Sequence, residues 1–79
     1  METIPKRAIV KIDDDNEIEV CYFLHDTGIN QDSKYINLTV CSDNNDIPKL
    51  TTIFPKSEID NSEMLLGAVN KLVKDYKSI

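Results

Sequence analysis

Residues 61–76, NSEMLLGAVNKLVKDY, carry the one unmistakable helical period in this chain. Leu65, Val69, Leu72 and Tyr76 recur at the spacing of one helix face, with Ala68 and Val73 beside them, while Glu63, Asn70 and Lys74 fall opposite. The spacing predicts a helix that buries this stripe. Asp60, Asn61 or Ser62 can cap its start, and Asp60 with Glu63 has the spacing of a reciprocal capping pair. Residues 57–60 (SEID) have a capping-box spacing too and allow a start one turn earlier. Lys71, Lys74 and Lys77 gather in the last turns, where the helix dipole favours cations.

Everything before this helix reads as strand. Residues 7–13 (RAIVKID) alternate, with Ala8, Val10 and Ile12 on one side and Arg7, Ile9 and Lys11 on the other. Asp14, Asp15 and Asn16 make a polar turn of hairpin length. Residues 17–25 (EIEVCYFLH) then alternate again, with Ile18, Val20, Tyr22 and Leu24 on one face. Setting Ile12 against Ile18 places Lys11 against Glu19, an opposite-charge pair that supports the register. Residues 26–33 (DTGINQDS) read as an open loop in which Gly28 can take a positive φ. Residues 34–42 (KYINLTVCS) form a third strand, with Ile36, Leu38 and Val40 inward and Tyr35, Asn37, Thr39 and Cys41 outward. After a turn at residues 43–48 (DNNDIP), residues 49–54 (KLTTIF) form a short fourth strand ended by Pro55. Val40 is expected opposite Leu50, Leu38 opposite Thr52, and Ile36 opposite Phe54.

The expected fold is α+β: a four-stranded antiparallel meander with one C-terminal helix across one face, ββββα. The covered face is Ala8, Val10, Ile12, Ile18, Val20, Tyr22, Leu24, Ile36, Leu38, Val40, Leu50 and Phe54. The whole chain, residues 1–79, is expected to be one domain, because a chain this short buries only about 60% of its unfolded surface and cannot hold two cores.

Charge narrows the function classes. The net charge is −5 and the isoelectric point near 4.6. Phosphate recognition needs clustered Lys and Arg, so direct nucleic-acid binding is not expected, and anionic membrane surfaces are disfavoured for the same reason. No apolar leader or membrane span is legible, so the cytoplasm is the expected compartment and reduced, at least half-buried thiols the expected state of Cys21 and Cys41.

No motif for chemistry stands out. The DDDNE run lacks the central Gly and the twelfth-position acid of a calcium loop, so no metal is expected. His25, the only histidine, falls short of a zinc set. Cys21 and His25 share a face but are separated by two alternations, too far for a proton relay. Neither catalysis nor a cofactor is expected.

Three surfaces are candidates for a protein partner. In a meander the turns at 14–16 and 43–48 lie at the same end of the sheet, gathering Asp13, Asp14, Asp15, Glu17, Asp43 and Asp46, with the terminal lysines of the helix running back toward them. One helix, about 10 Å wide, covers only one side of a four-stranded sheet. The other side carries Ile9, Cys21, Phe23, Tyr35, Cys41 and Ile53, more apolar than a face turned to water requires. Met64, Gly67 and Lys71 form a strip on the outer side of the helix, where a glycine costs about 1 kcal/mol and has no packing role. The leading expectation is a non-enzymatic acidic module that occupies a basic surface of a nucleic-acid-binding protein, as small inhibitors and regulators of phages and other mobile elements do; this analogy rests on size and charge. The alternative is a structural or assembly protein that dimerises through the outer sheet face.

Overall fold

Runs in which apolar and polar side chains alternate become strands here, because a pleated backbone puts every second side chain on one face. The structure, a computed structural model, describes residues 4–25, 34–42, 44 and 46–78. Four strands, β1 (Lys6–Lys11), β2 (Glu17–His25), β3 (Tyr35–Ser42) and β4 (Leu50–Pro55), lead through a single 3₁₀ turn at Lys56–Glu58 into α1 (Ser62–Lys77). The strands pair antiparallel in the order β1-β2-β3-β4, and α1 lies against one face. This is the expected ββββα meander. The loop expected at residues 26–33, Gly28 included, lies outside the described residues.

The β3–β4 register is the expected one: Val40 faces Leu50, Leu38 faces Thr52 and Ile36 faces Phe54. Pro55 stands opposite Tyr35 at the end of the edge strand. The next pair along, Lys34 with Lys56, is hydrogen-bonded through Lys56 N–H to Lys34 C=O at 2.8 Å, so the missing N–H of Pro55 falls on the solvent side.

The β1–β2 register differs from the expectation by two residues. Val10, not Ile12, faces Ile18, and Lys11 faces Glu17 rather than Glu19. The cause is the turn. Asp13 accepts hydrogen bonds at 2.9 Å from the backbone N–H groups of both Asp15 and Asn16, and the Ile12 N–H donates to the Asn16 carbonyl at 2.8 Å. The three-residue loop is therefore Asp13 to Asp15, one residue earlier than the polar pattern suggests. A shift of two keeps every side chain on its face, so the core is unaffected. Glu19 finds its cation at Arg7 instead, with the guanidinium 3.3 Å from the carboxylate.

The core holds Val10, Ile18, Val20, Tyr22, Leu24, Ile36, Leu38, Val40 and Phe54 from the sheet and Leu65, Val69 and Val73 from the helix. Ala8, Ile12, Leu50, Ala68 and Leu72 pack partly buried at its margin. Two apolar positions depart from expectation. Ile47, in a segment that reads as turn, is buried: the Ser42 hydroxyl accepts from the Ile47 N–H at 3.2 Å and holds the turn so that its one apolar side chain closes the end of the core. Tyr76 is 40% exposed. It lies within about 20° of Leu65 and Val69 around the helix, but in the last turn of α1, where it stays partly open to solvent.

Asn61 is the N-cap of α1, its side-chain oxygen accepting from the Met64 N–H at 3.1 Å. Its side-chain amide donates to Glu58 at 3.2 Å, and no Asp60–Glu63 pair forms. The 57–60 box starts no earlier helix turn; that segment runs through the 3₁₀ turn. Lys74 and Lys77 occupy the last turn of α1. No helix among the described residues is long and apolar enough to cross a membrane.

Candidate interaction surfaces

The meander brings the β1–β2 hairpin, the β3–β4 turn and the C-terminal end of α1 to one end of the molecule. Ile12, Asn16, Glu17, Ile18, Asp46 and Lys77 line a single groove there. Asp14, Asp15, Glu17 and Asp46 are exposed. Asp13 is exposed as well, but its carboxylate is engaged by its own turn. Its carboxylate accepts from the Asn16 side-chain amide at 2.8 and 2.9 Å as well as from the two backbone N–H groups, and these bonds, led by the Asn16 amide, hold its pKa below the ordinary 3.8. It is a turn-forming carboxylate first. Asp43 lies outside the described residues. Lys77 brings one cation into the same groove as Glu17 and Asp46, so the acidic end is partly neutralised on its helix side.

The second surface is the sheet face turned away from α1. Its centre is half-buried by its own neighbours: Cys21, Phe23, His25 and Cys41 are all of intermediate exposure, and the Phe23 and His25 rings tilt together with centroids 5.4 Å apart. Ile9 (63% exposed), Ile53 (64%) and Tyr35 (50%) stand around this centre, the first two on opposite edge strands. The apolar side chains therefore form a closed middle with separate exposed points, not one evenly exposed patch.

Thr39 lies on the outer face, as expected, but is closed off from solvent there. It is fully buried, its hydroxyl 2.7 Å from His25 Nε2 and 3.1 Å from the Thr51 hydroxyl. A hydrogen-bonded row thus crosses three strands on the outer face. Thr39 and Thr51 are register partners. Odd-numbered β3 residues turn their backbone groups toward β2, so this pair is of the closer, non-hydrogen-bonded kind that lets two short side chains meet. Nothing in the alternation marks Thr39 as different from Asn37, and only the β2–β3 register brings His25 within reach of it.

The same register sets Cys21 directly against Cys41. Both are thiols of intermediate exposure. The sequence leaves the two unrelated, because residues 26–33 do not specify how β2 and β3 align.

On the helix, Met64 is 43% exposed and a Cβ added at Gly67 would meet nothing within 4 Å beyond its own helical backbone and chain neighbours. Lys71 is exposed and borders, with Ala68, Leu72 and Asp75, a shallow groove closed on the other side by Thr52 and Ile53 of β4. A recess lined by Tyr22, Leu24, Ile59 and Leu65, with Ile4 and Lys6 beside them, is not foreshadowed by the sequence pattern. No protein-family model matches the chain, and neither a curated protein nor a solved structure matches it.

Proposed function

We propose that this chain is a non-enzymatic acidic binding module, a small inhibitor or regulator that occupies a basic surface on a nucleic-acid-binding protein. The observation that carries the reading is the acidic end of the sheet, where Asp14 and Asp15 project from the hairpin tip and Glu17 and Asp46 share one groove. Carboxylates spaced along one end of a rigid sheet can meet the Lys and Arg array that a nucleic-acid-binding protein presents to phosphates. Such complementarity raises the association rate and selects the partner. The test is capture of proteins from a cell lysate on the immobilised chain, eluted by salt and by competing duplex DNA. Nucleic-acid-binding proteins held by the wild type, displaced by DNA and lost with Asp14→Lys/Asp15→Lys support the reading. Capture that is indifferent to the charge reversal counts against it.

A second reading, a homodimer joined through the outer sheet face, is favoured by the exposure of Ile9 and Ile53 beyond the half-buried Phe23. Sedimentation equilibrium over a wide concentration range separates the two, with Phe23→Lys expected to yield a monomer only if this face is the joint.

A further inference from the structure

We propose that Cys21 and Cys41 form a redox-labile dithiol that closes into a cross-strand disulfide on the outer face of the sheet. They are twenty positions apart in the sequence and are register partners on adjacent antiparallel strands. Their side chains leave the same face, away from α1, and both are partly open to solvent, so a small disulfide can reach them.

Backbone alternation tells what kind of pair this is. In an antiparallel ladder each residue turns its N–H and C=O to the same neighbour, and successive residues alternate between neighbours. The Lys56 N–H bonds the Lys34 carbonyl, so even-numbered β3 residues bond toward β4 and odd-numbered ones, Cys41 among them, toward β2. The Ile12 N–H to Asn16 carbonyl bond at the other hairpin gives the same answer for Cys21, which turns toward β3. Cys21 and Cys41 therefore form a hydrogen-bonded pair, with Cα atoms about 5.5 Å apart. That separation lies inside the span a disulfide accepts. The Cβ atoms are less well placed: cross-strand partners sit roughly 4.5–5.5 Å apart at Cβ, the hydrogen-bonded kind toward the wide end. A disulfide draws its Cβ atoms to about 3.8 Å. Closing the bond costs a local inward pull of two strands, and that strain makes it easier to reduce than a structural disulfide.

The reaction is two thiol–disulfide exchanges with a low-molecular-weight disulfide as oxidant. One cysteine thiolate attacks a sulfur of that disulfide, forming a mixed disulfide and expelling one small thiolate. The other cysteine attacks the protein sulfur of the mixed disulfide, forming the Cys21–Cys41 bond and expelling the second small thiolate. Each exchange breaks one S–S bond and makes one, so the net change is the small disulfide lost and the Cys21–Cys41 bond gained. Two cysteines are oxidised, the small disulfide is reduced to two thiols, and the two cysteine protons end on the expelled thiolates. The product ties β2 to β3 beside Phe23 and across the connection between them.

Folded wild-type protein is equilibrated in glutathione buffers of graded reduced-to-oxidised ratio, quenched in acid, alkylated and weighed intact. The expected product is a monomeric chain two hydrogens lighter, without bound glutathione and closed to alkylation, returning to the dithiol under excess millimolar reduced glutathione. Cys21→Ser and Cys41→Ser each stop at one mixed disulfide. A wild type that accumulates two glutathione adducts or a chain-to-chain disulfide overturns the proposal, and so does a bond that survives excess reduced glutathione. Phenylarsine oxide, which needs two thiols within reach of one arsenic, gives an independent reading: one arsenic per wild-type chain supports the pairing, and binding no better than to either serine variant overturns it.

Discussion

Replacing Gly67 with alanine should stabilise this protein by nearly the full intrinsic difference between the two residues. Gly67 is the sixth residue of α1, inside the hydrogen-bonded body of the helix, and it is exposed. Glycine loses more backbone freedom than alanine on entering a helix, at a cost of about 0.8–1.0 kcal/mol. That gain is normally reduced by whatever the new methyl group strikes. Here it strikes nothing, because a Cβ at this position has no neighbour within 4 Å beyond its own helical backbone and chain neighbours. Little apolar area is buried either, so the expected gain is about 1 kcal/mol and comes mostly from the unfolded chain. In a domain this small such a gain raises the thermal midpoint by about 4–8 °C. In urea, with a slope of about 1–3 kcal/mol/M, the midpoint moves up by roughly 0.3–1 M with the slope unchanged. The assay is paired urea and thermal melts followed by the helical circular dichroism signal. A variant equal to or less stable than wild type would refute the reasoning, since it would mean that this stretch of α1 is not an open helical site in the free protein. Gly67→Arg extends the experiment to function: if the strip Met64, Gly67, Lys71 meets a partner, the bulky cation weakens that binding while leaving the fold intact.

Asn61→Ala removes the side-chain acceptor of the Met64 N–H and should cost about 1 kcal/mol in urea melts, with most of the loss absent in Asn61→Ser, which keeps a capping oxygen without adding a charge beside Glu58. Thr39→Val keeps the shape of a fully buried residue but removes the hydroxyl that joins His25 to Thr51. Both partners have access to solvent, so the loss should stay near 1 kcal/mol, and a loss several times larger would show that the row is sealed from water. Asp13 has a folded-state pKa below its ordinary 3.8, so its charge contributes stability that is present above that value and lost as pH falls through the lowered folded value. Wild type minus Asp13→Asn, compared by urea midpoint across pH, should therefore be constant near neutrality and shrink in acid. A difference that grows in acid would reverse the sign and sink the assignment.

The architecture was legible because its signals are local. Alternation of period two in residues 17–25 and 34–42, three connections between successive strands, and the stripe of Leu65 and Val69 are each set within a few residues, and together they dictate a meander under one helix. The gathering of Glu17 and Asp46 at one end beside Lys77 follows from that topology. Where the pattern erred, it erred in quantities that alternation leaves degenerate. Registers that differ by two residues put the same side chains on the same faces, so periodicity could not tell Ile12 from Val10 as the partner of Ile18; the Asp13 carboxylate, bonded to its own turn, made the choice.

Tertiary structure alone decided the rest, because it concerns atoms distant in sequence and near in space. Packing left Tyr76 exposed in the last turn of α1, and the Ser42 hydroxyl drew Ile47 inward. The β2–β3 alignment is written in neither strand, yet it buries Thr39 under His25 and sets Cys21 against Cys41. Local propensity therefore determined which elements exist and which face each one buries, and the packing of one strand on another determined which side chains meet on the face left open.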